Sequence, residues 1–354
     1  MTIRSLRAHA ACLLLPFALT LASTPGAAAE PEPPILAAAR DAMWWGDFAA
    51  LETQNAQLSK PGRIGADGVS ELSRFRDGVA LVFEYKVKNP EPYMKELDLL
   101  TLEWATRHPG SGLAHALHAR ALLAHAQSYR GRSTASEVPP EAWAPYQDYL
   151  KQAATYLMNH ADVALTDSYS HFVLISIGRH LGWSPEQLAA VVEAGLARNP
   201  EDEDLHFAMA YTLLPKWHGD ARILDAYIRH ATEQTRARFG WGMYARLYAE
   251  ALQDQFGTNL FENSFAEWSK MKQGYEDLQA KYPASPKRLN RYAFLACVAK
   301  GKPTFLRVIE QVGTNLHTGE WGANPERAVE TCRRWAAEVD DASPRTPPRA
   351  ATAT

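Results

Sequence analysis

The feature that most constrains this chain is an apolar spacing of three and four residues that recurs along its length. Leu150, Ala153, Ala154 and Leu157 fall at i, i+3, i+4 and i+7, the spacing that gathers side chains on one face of an α-helix. Leu188, Val191, Val192, Gly195 and Leu196 extend the pattern, Leu224, Tyr227, Ile228 and Ala231 repeat it, and so do Tyr244, Leu247, Tyr248, Ala251 and Leu252. Each apolar stripe must find a neighbouring helix. Sustained strand-type alternation is missing, so the expected fold class is all-α.

The punctuation points the same way. Ser184-Pro185, Ser285-Pro286 and Asn324-Pro325 each pair a capping side chain with a proline preset for the first helical position. Gln187, three after Ser184, completes a capping-box pattern. Three segments resemble one another: "RHPGSGLAHALHARALL" from Arg107, "RNPEDEDLHFAMAYTLL" from Arg198 and "KYPASPKRLNRYAFLAC" from Lys281. Each ends one helix, turns at a proline (Pro109, Pro200, Pro283) and opens another. A second turn type appears at Trp44 to Leu51, Lys216 to Leu224 and Ala299 to Leu306. Alternation of the two turns predicts helical hairpins stacked into a solenoid, with degenerate relatives of the ~34-residue tetratricopeptide repeat. Small residues such as Ser176, Gly195, Ala208 and Ala210 would let adjacent helices approach closely.

The reading places a signal peptide at 1–29, one helical-repeat domain at 30–341 and a disordered tail at 342–354. Arg4 and Arg7 form a positive region, Ala8 to Ala22 an apolar one, and Ala27-Ala28-Ala29 offers small residues before Glu30. That order is the signature of a secretion signal cleaved between Ala29 and Glu30. The apolar run is short for a membrane span and contains Pro16. A periplasmic or secreted location follows as the expectation, with no membrane span after processing. The tail, "ASPRTPPRAATAT" from Ala342, is rich in proline and alanine. Two longer loops, Pro61 to Ser70 and Arg130 to Pro140, interrupt the helical pattern.

The formal charge of −3 falls to about −5 once Arg4 and Arg7 leave. Such a balance gives no general attraction for nucleic acid or anionic lipid. Loss of the leader also removes Cys12 and leaves Cys297 and Cys332. In an oxidising compartment these pair as a disulfide, the alternative being two buried thiols.

The segments "YRGRSTASEVPPEAWAPYQDYLKQAATYL" (Tyr129 to Leu157), "LGWSPEQLAAVVEAGLARNP" (Leu181 to Pro200) and "AYTLLPKWHGD" (Ala210 to Asp220), with "GMYARLYAEAL" from Gly242 and the late "FLAC" and "CRRWA" stretches, resemble an uncharacterised bacterial domain-of-unknown-function family with a tetratricopeptide-like fold. The resemblance covers roughly residues 40 to 338. It implies a fold and carries over no catalytic residue.

Several clusters could bear chemistry. His115, His118 and His125 share one face of a helix, as a metal site would need, although no carboxylate accompanies them there; hydrogen-bonded histidines are the plainer reading. Glu201 to Asp204 could hold a hard cation or simply favour a helix N-terminus. Trp44, Trp45, Trp143, Trp183, Trp217, Trp241, Trp268, Trp321 and Trp335 fall mostly at helix ends and turns, where they would plug gaps between hairpins or form an aromatic groove. For a groove, the candidate lining is Arg130, Arg132, Trp143, Trp183, Trp217 and His218. Nucleophile elbows, zinc motifs and phosphate-binding glycine loops are missing, so no cofactor, metal or catalytic residue is expected. The expected function is a scaffold that binds a protein or peptide partner in the cell envelope. The rival is an enzyme acting on envelope glycans, or a sugar-binding protein, for which Glu141, Asp148, Asp167 and Asp220 are candidate acids.

Overall fold

The computed structural model describes residues 32–131, 133–217 and 219–338. The expected signal peptide, its cleavage point at Ala29 and Glu30, the tail from 342, and the candidates Arg132 and His218 lie outside the described residues. The chain is all-α: among the described residues no strand forms, and a single bridge joins Ile64 to Ser70. No helix among them is long and apolar enough to cross a membrane. The described residues group into two compact units, 32–284 and 285–338.

Unit 1 contains α1 (Pro34–Trp45), α2 (Phe48–Leu58), α3 (Glu71–Phe83), α4 (Pro90–Arg107), α5 (Gly112–Arg130), α6 (Trp143–Asn159), the short α7 (Ala161–Ala164), α8 (Ser168–Leu181), α9 (Pro185–Arg198), α10 (Glu203–Thr212), α11 (Ala221–Phe239), α12 (Gly242–Ala251), the short α13 (Leu260–Asn263) and α14 (Trp268–Lys281). Most helices pack on the next in sequence, as α4 does on α5, α5 on α6, α8 on α9 and α11 on α12. Other pairs skip one helix, as α1 with α3, α6 with α8, α8 with α10 and α12 with α14. Local order of this kind follows from short connections between amphipathic helices.

The stripes read from sequence are the buried faces: Leu150, Ala153 and Leu157 on α6, Leu188, Val192 and Leu196 on α9, Leu224, Ile228 and Ala231 on α11. The caps also form. Ser184 Oγ accepts from the Gln187 N–H at 3.3 Å, while Gln187 Oε1 accepts from the Ser184 N–H at 2.9 Å. Gly195 sits where a Cβ would lie 2.7 Å from Leu205 and 2.9 Å from His171, so glycine there sets the close approach of α9 to α8 and α10. Trp104, fully buried on α4, stacks on Phe48 with centroids 4.4 Å apart and an interplanar angle of 8°. Large rings thus plug the contact between α2 and α4, each adding stacking to its buried area.

Unit 2 contains α15 (Pro286–Val298), α16 (Lys302–Val312), the short α17 (Thr318–Trp321) and α18 (Pro325–Ala337). Ser285 and Asn324 cap α15 and α18 through their side chains. Its buried amide, Asn290, is fully satisfied: Oδ1 accepts from Trp321 Nε1 at 2.8 Å and from the His317 N–H at 3.2 Å, and Nδ2 donates to the carbonyls of Pro286 and Asn315. Cys297 of α15 and Cys332 of α18 are joined by a disulfide, 35 residues apart in sequence. A loop of that length removes enough unfolded-state entropy to stabilise by about 4 kcal/mol. Cys332→Ser is therefore expected to lower the unfolding free energy of unit 2 by 2–4 kcal/mol, measured by urea titration. Two free thiols in denatured protein from an oxidising compartment would contradict the cross-link.

Candidate functional site

The site begins with a charge problem that the fold solves by long-range pairing. Arg76 of α3 is almost fully buried, and Nη1 donates to both oxygens of Asp202 at 2.8 and 2.7 Å and to Asp204 at 3.1 Å. Nη2 donates to Ser168 Oγ at 2.9 Å, and Asp167 lies 3.9 Å away. Burial works against the guanidinium charge, but Asp202, Asp204 and Asp167 outweigh it and hold Arg76 above its ordinary range. Burial and the neighbouring Asp202 raise the Asp204 carboxyl, with Arg76 opposing them. Asp167 in turn caps α8, accepting from the Tyr169 N–H at 2.8 Å and from Asn55 Nδ2 at 2.7 Å. Beside this network, Arg246 of α12 donates to Glu203 at 2.6 Å, and its guanidinium rests over the Phe207 ring at 4.9 Å.

The acidic run Glu201 to Asp204 thus does two jobs. Asp202 caps α10, accepting from the Asp204 N–H at 3.2 Å, while the arginines of α3 and α12 neutralise the run. It is compensated by protein cations, and among the described residues no group of three His, Cys, Asp or Glu side chains is arranged to hold a metal ion. The three histidines of α5 are buried and individually bonded. His115 Nδ1 meets the Tyr156 hydroxyl at 2.8 Å, His118 Nδ1 meets the Thr101 hydroxyl at 3.0 Å, and His125 lies between Asp98 and Glu91. The carboxylates missing from α5 come to His125 from α4.

Between α3, α8, α10 and α12 lies a groove of about 480 Å³. Its polar lining includes Ser73 and Asp77 of α3, Arg179 of α8, Asp204 of α10, and Arg246 and Glu250 of α12. Phe172, Phe207 and Tyr211 supply aromatic walls, and Ala208 and Ala210 keep room open along α10. Asp254 reaches the lining from a π-helical turn, Leu252–Phe256, that follows α12. Such turns re-aim side chains at the end of an α-helix and are frequent at functional sites.

An aromatic row meets the groove at Tyr211. Trp143 meets Tyr146 at 5.8 Å, Tyr146 meets His180 at 6.0 Å, His180 meets Trp217 at 5.3 Å, and Trp217 meets Tyr211 at 5.9 Å. The Arg179 guanidinium stacks within this row, 4.8 Å from the Tyr211 centroid and 5.1 Å from that of Trp217. Burial, with Arg179 and Arg130 nearby, pushes His180 down to about 3. Burial also pushes Arg179 down to about 10, with Tyr211, Tyr146 and Asp254 opposing it.

No family model, no curated protein and no solved structure matches the chain. The site must be read from its own geometry.

Of the residues singled out in the sequence, Trp143 and Trp217 belong to this row. Arg130 ends α5 and donates to the carbonyls of Gly131 and Ser133, at 3.2 and 3.1 Å. Trp183 has a different job: it seats against Gly178, where a Cβ would come within 2.5 Å of its ring. The four candidate acids do not line the groove. Asp167 and Asp220 cap α8 and α11, Glu141 is exposed on a short turn, and Asp148 borders a separate, wider hollow with Leu99, Leu102 and Tyr149. Of the acids that do line it, Asp204 ends the acidic run noted in the sequence, while Asp77, Glu250 and Asp254 carry no local signature. Arg179 was likewise inconspicuous, because a basic residue in the last turn of a helix is the usual complement to its dipole.

Proposed function

We propose that the chain is an exported, degenerate tetratricopeptide-like stack of helical hairpins that binds a protein or peptide partner of the cell envelope in the groove of unit 1. The observation that carries this reading is the mixture in the lining. Half-buried rings of Phe172, Phe207 and Tyr211 alternate with arginines and carboxylates of both signs. A polypeptide presents the same mixture, with apolar side chains, charges and backbone groups within one short segment. Packing of neighbouring helices in unit 1 adds support by fold analogy alone, since helical-repeat stacks commonly bind partners on their inner faces.

The test is an arrayed library of random peptides, probed with the wild-type chain and with Phe207→Ala and Tyr211→Ala. Each substitution is expected to weaken the bound peptides by about 1–2 kcal/mol, as for aromatic anchors in interfaces. Leu99→Ala, in the separate hollow, is expected to leave binding unchanged. Equal binding by wild type and both groove variants would refute the reading.

A second reading, an enzyme acting on cell-envelope glycans or a sugar-binding protein with an aromatic cleft, draws on one observation. Asp204 is a carboxyl raised by burial in the same groove as Glu250 and Asp254, and raised carboxyls serve as general acids in glycoside hydrolysis. It requires release of reducing sugar from cell-wall glycan that Asp204→Asn abolishes.

A further inference from the structure

We infer that the groove of unit 1 carries a carboxylate-binding subsite centred on Arg179, so that the segment it takes places a C-terminal or acidic side-chain carboxylate against that guanidinium. The inference rests on the groove being a polypeptide site and names the chemistry at one place in it.

Arg179, half-buried, stands apart from the other buried and half-buried arginines that surround the groove and its neighbouring helices. Arg76 is paired with Asp202 and Asp204, Arg246 with Glu203, and Arg120 approaches Glu84 at 3.6 Å. Among the described residues no carboxylate lies within ion-pair distance of Arg179. Its Nε–H is buried and meets no acceptor, and Nη1 comes only within 3.5 Å of the Thr212 hydroxyl. Both neighbours that cover the group, Tyr211 and Trp217, offer ring faces rather than acceptors. A desolvated cation without a countercharge is costly, and burial accordingly lowers its proton affinity. A ligand anion would supply what the fold withholds.

The shape of the group narrows the anion. A guanidinium fork positioned by two neighbouring rings matches a planar carboxylate, which accepts two parallel hydrogen bonds. The carboxylates of Asp204 and Asp254 border the same groove. They disfavour a polyanion and suit a ligand whose one negative group is flanked by neutral or cationic ones.

The test uses the full chain labelled with ¹⁵N-arginine, the Nε–H signal of Arg179 being assigned by its loss in Arg179→Lys. Three pools of tripeptides serve as probes: free C-terminal acids without acidic side chains, the same peptides as C-terminal amides, and amides with glutamate at the central position. The Arg179 signal is expected to move with the first pool, the third or both, which identifies the source of the carboxylate, and to stay in place with the plain amides. Arg179→Lys is expected to weaken the responding pool about tenfold or more, the loss for a charge-assisted hydrogen bond. Arg179→Met is expected to fold with an unchanged or raised thermal midpoint, because no ion pair is lost and methionine can still pack on the two rings. If the plain amides move the Arg179 signal as far as the acids do, or if pools shift Arg246 and leave Arg179 unmoved, the carboxylate subsite is overturned while the groove reading stands. If no pool moves either arginine, both are overturned.

Discussion

Arg76→Met is expected to destabilise unit 1 by about 3–5 kcal/mol, the cost of leaving a buried ion pair with one partner. Methionine would fill much of the same space, so the loss comes from charge and not from volume. Asp202 would remain buried without its cation, and Asp204 and Ser168 would lose donors at 3.1 and 2.9 Å. Removing one side of such a network is far more damaging than never having built it, because the orphaned carboxylate bears its full desolvation penalty. The same substitution should disturb ligand binding, since Asp204 belongs to both the network and the groove. Urea unfolding followed by far-ultraviolet circular dichroism measures the first effect. Arg74→Met, which removes a partly exposed pair with Asp67, provides the comparison, with an expected loss of about 1 kcal/mol or less. A loss below about 1 kcal/mol for Arg76→Met would contradict the role given to the network.

Acidification from pH 7 to pH 5 is expected to cost several kcal/mol through histidines that the fold holds neutral. Burial pushes His118 and His206 down to about 4 and His180 down to about 3. The unfolded chain therefore binds more protons than the folded one between about pH 6.5 and 4, and stability falls as pH falls through that window. At pH 5 each fully buried site contributes roughly 2 kcal/mol of loss. His118 and His206 are 5% and 1% exposed, and half-buried His180 contributes less. His125 acts in the opposite sense. Burial opposes its charge, but Asp98 and Glu91 overcome this and raise it, so its stabilisation is complete below its unfolded value and lost as pH rises through the folded one. The raised Asp204 carboxyl also opposes the trend, since the folded state takes up its proton first; the depressed histidines outnumber these groups, and the net effect is a lower urea midpoint at pH 5 than at pH 7. His206→Asn, which keeps a polar group near the Tyr227 hydroxyl, is expected to flatten the dependence by about 2 kcal/mol. A midpoint that holds steady or rises on acidification would refute this account of the buried histidines.

Local pattern made much of the fold legible. The stripe on α9 and the Ser184–Gln187 box lie within one helix and its first turn, so spacing alone locates them. Turns at Pro109 and Pro200 end α4 and α9 and open α5 and α10 for the same reason. The site was harder to read because its decisive pairings span the chain. Arg76 and Asp202 are 126 residues apart, and nothing in the sequence around either one names the other. Glu201 to Asp204 reads as a helix start, which it is; that Arg76, Arg238 and Arg246 converge on it from other helices depends on packing. Arg179 looks like any basic residue near a helix end until Tyr211 and Trp217 are seen to cover it. Trp217 drew notice as a turn tryptophan, whereas Tyr146, His180 and Tyr211, which link it into a row with Trp143, had no distinguishing spacing. Trp104 escaped notice because a ring inside a helical stripe is unremarkable in sequence, although it stacks on Phe48 in the core.

The central claim is that the groove between α3, α8, α10 and α12 is the surface of unit 1 that receives a ligand. Amide hydrogen exchange, measured with and without the tripeptide pools at saturating concentration, tests it most directly. The account predicts slowed exchange in residues 172–179, 204–214 and 246–254, with residues 95–102 and 148–159 unchanged. Slowed exchange confined to 95–102 and 148–159 would contradict it and move the binding surface to the hollow between α4 and α6.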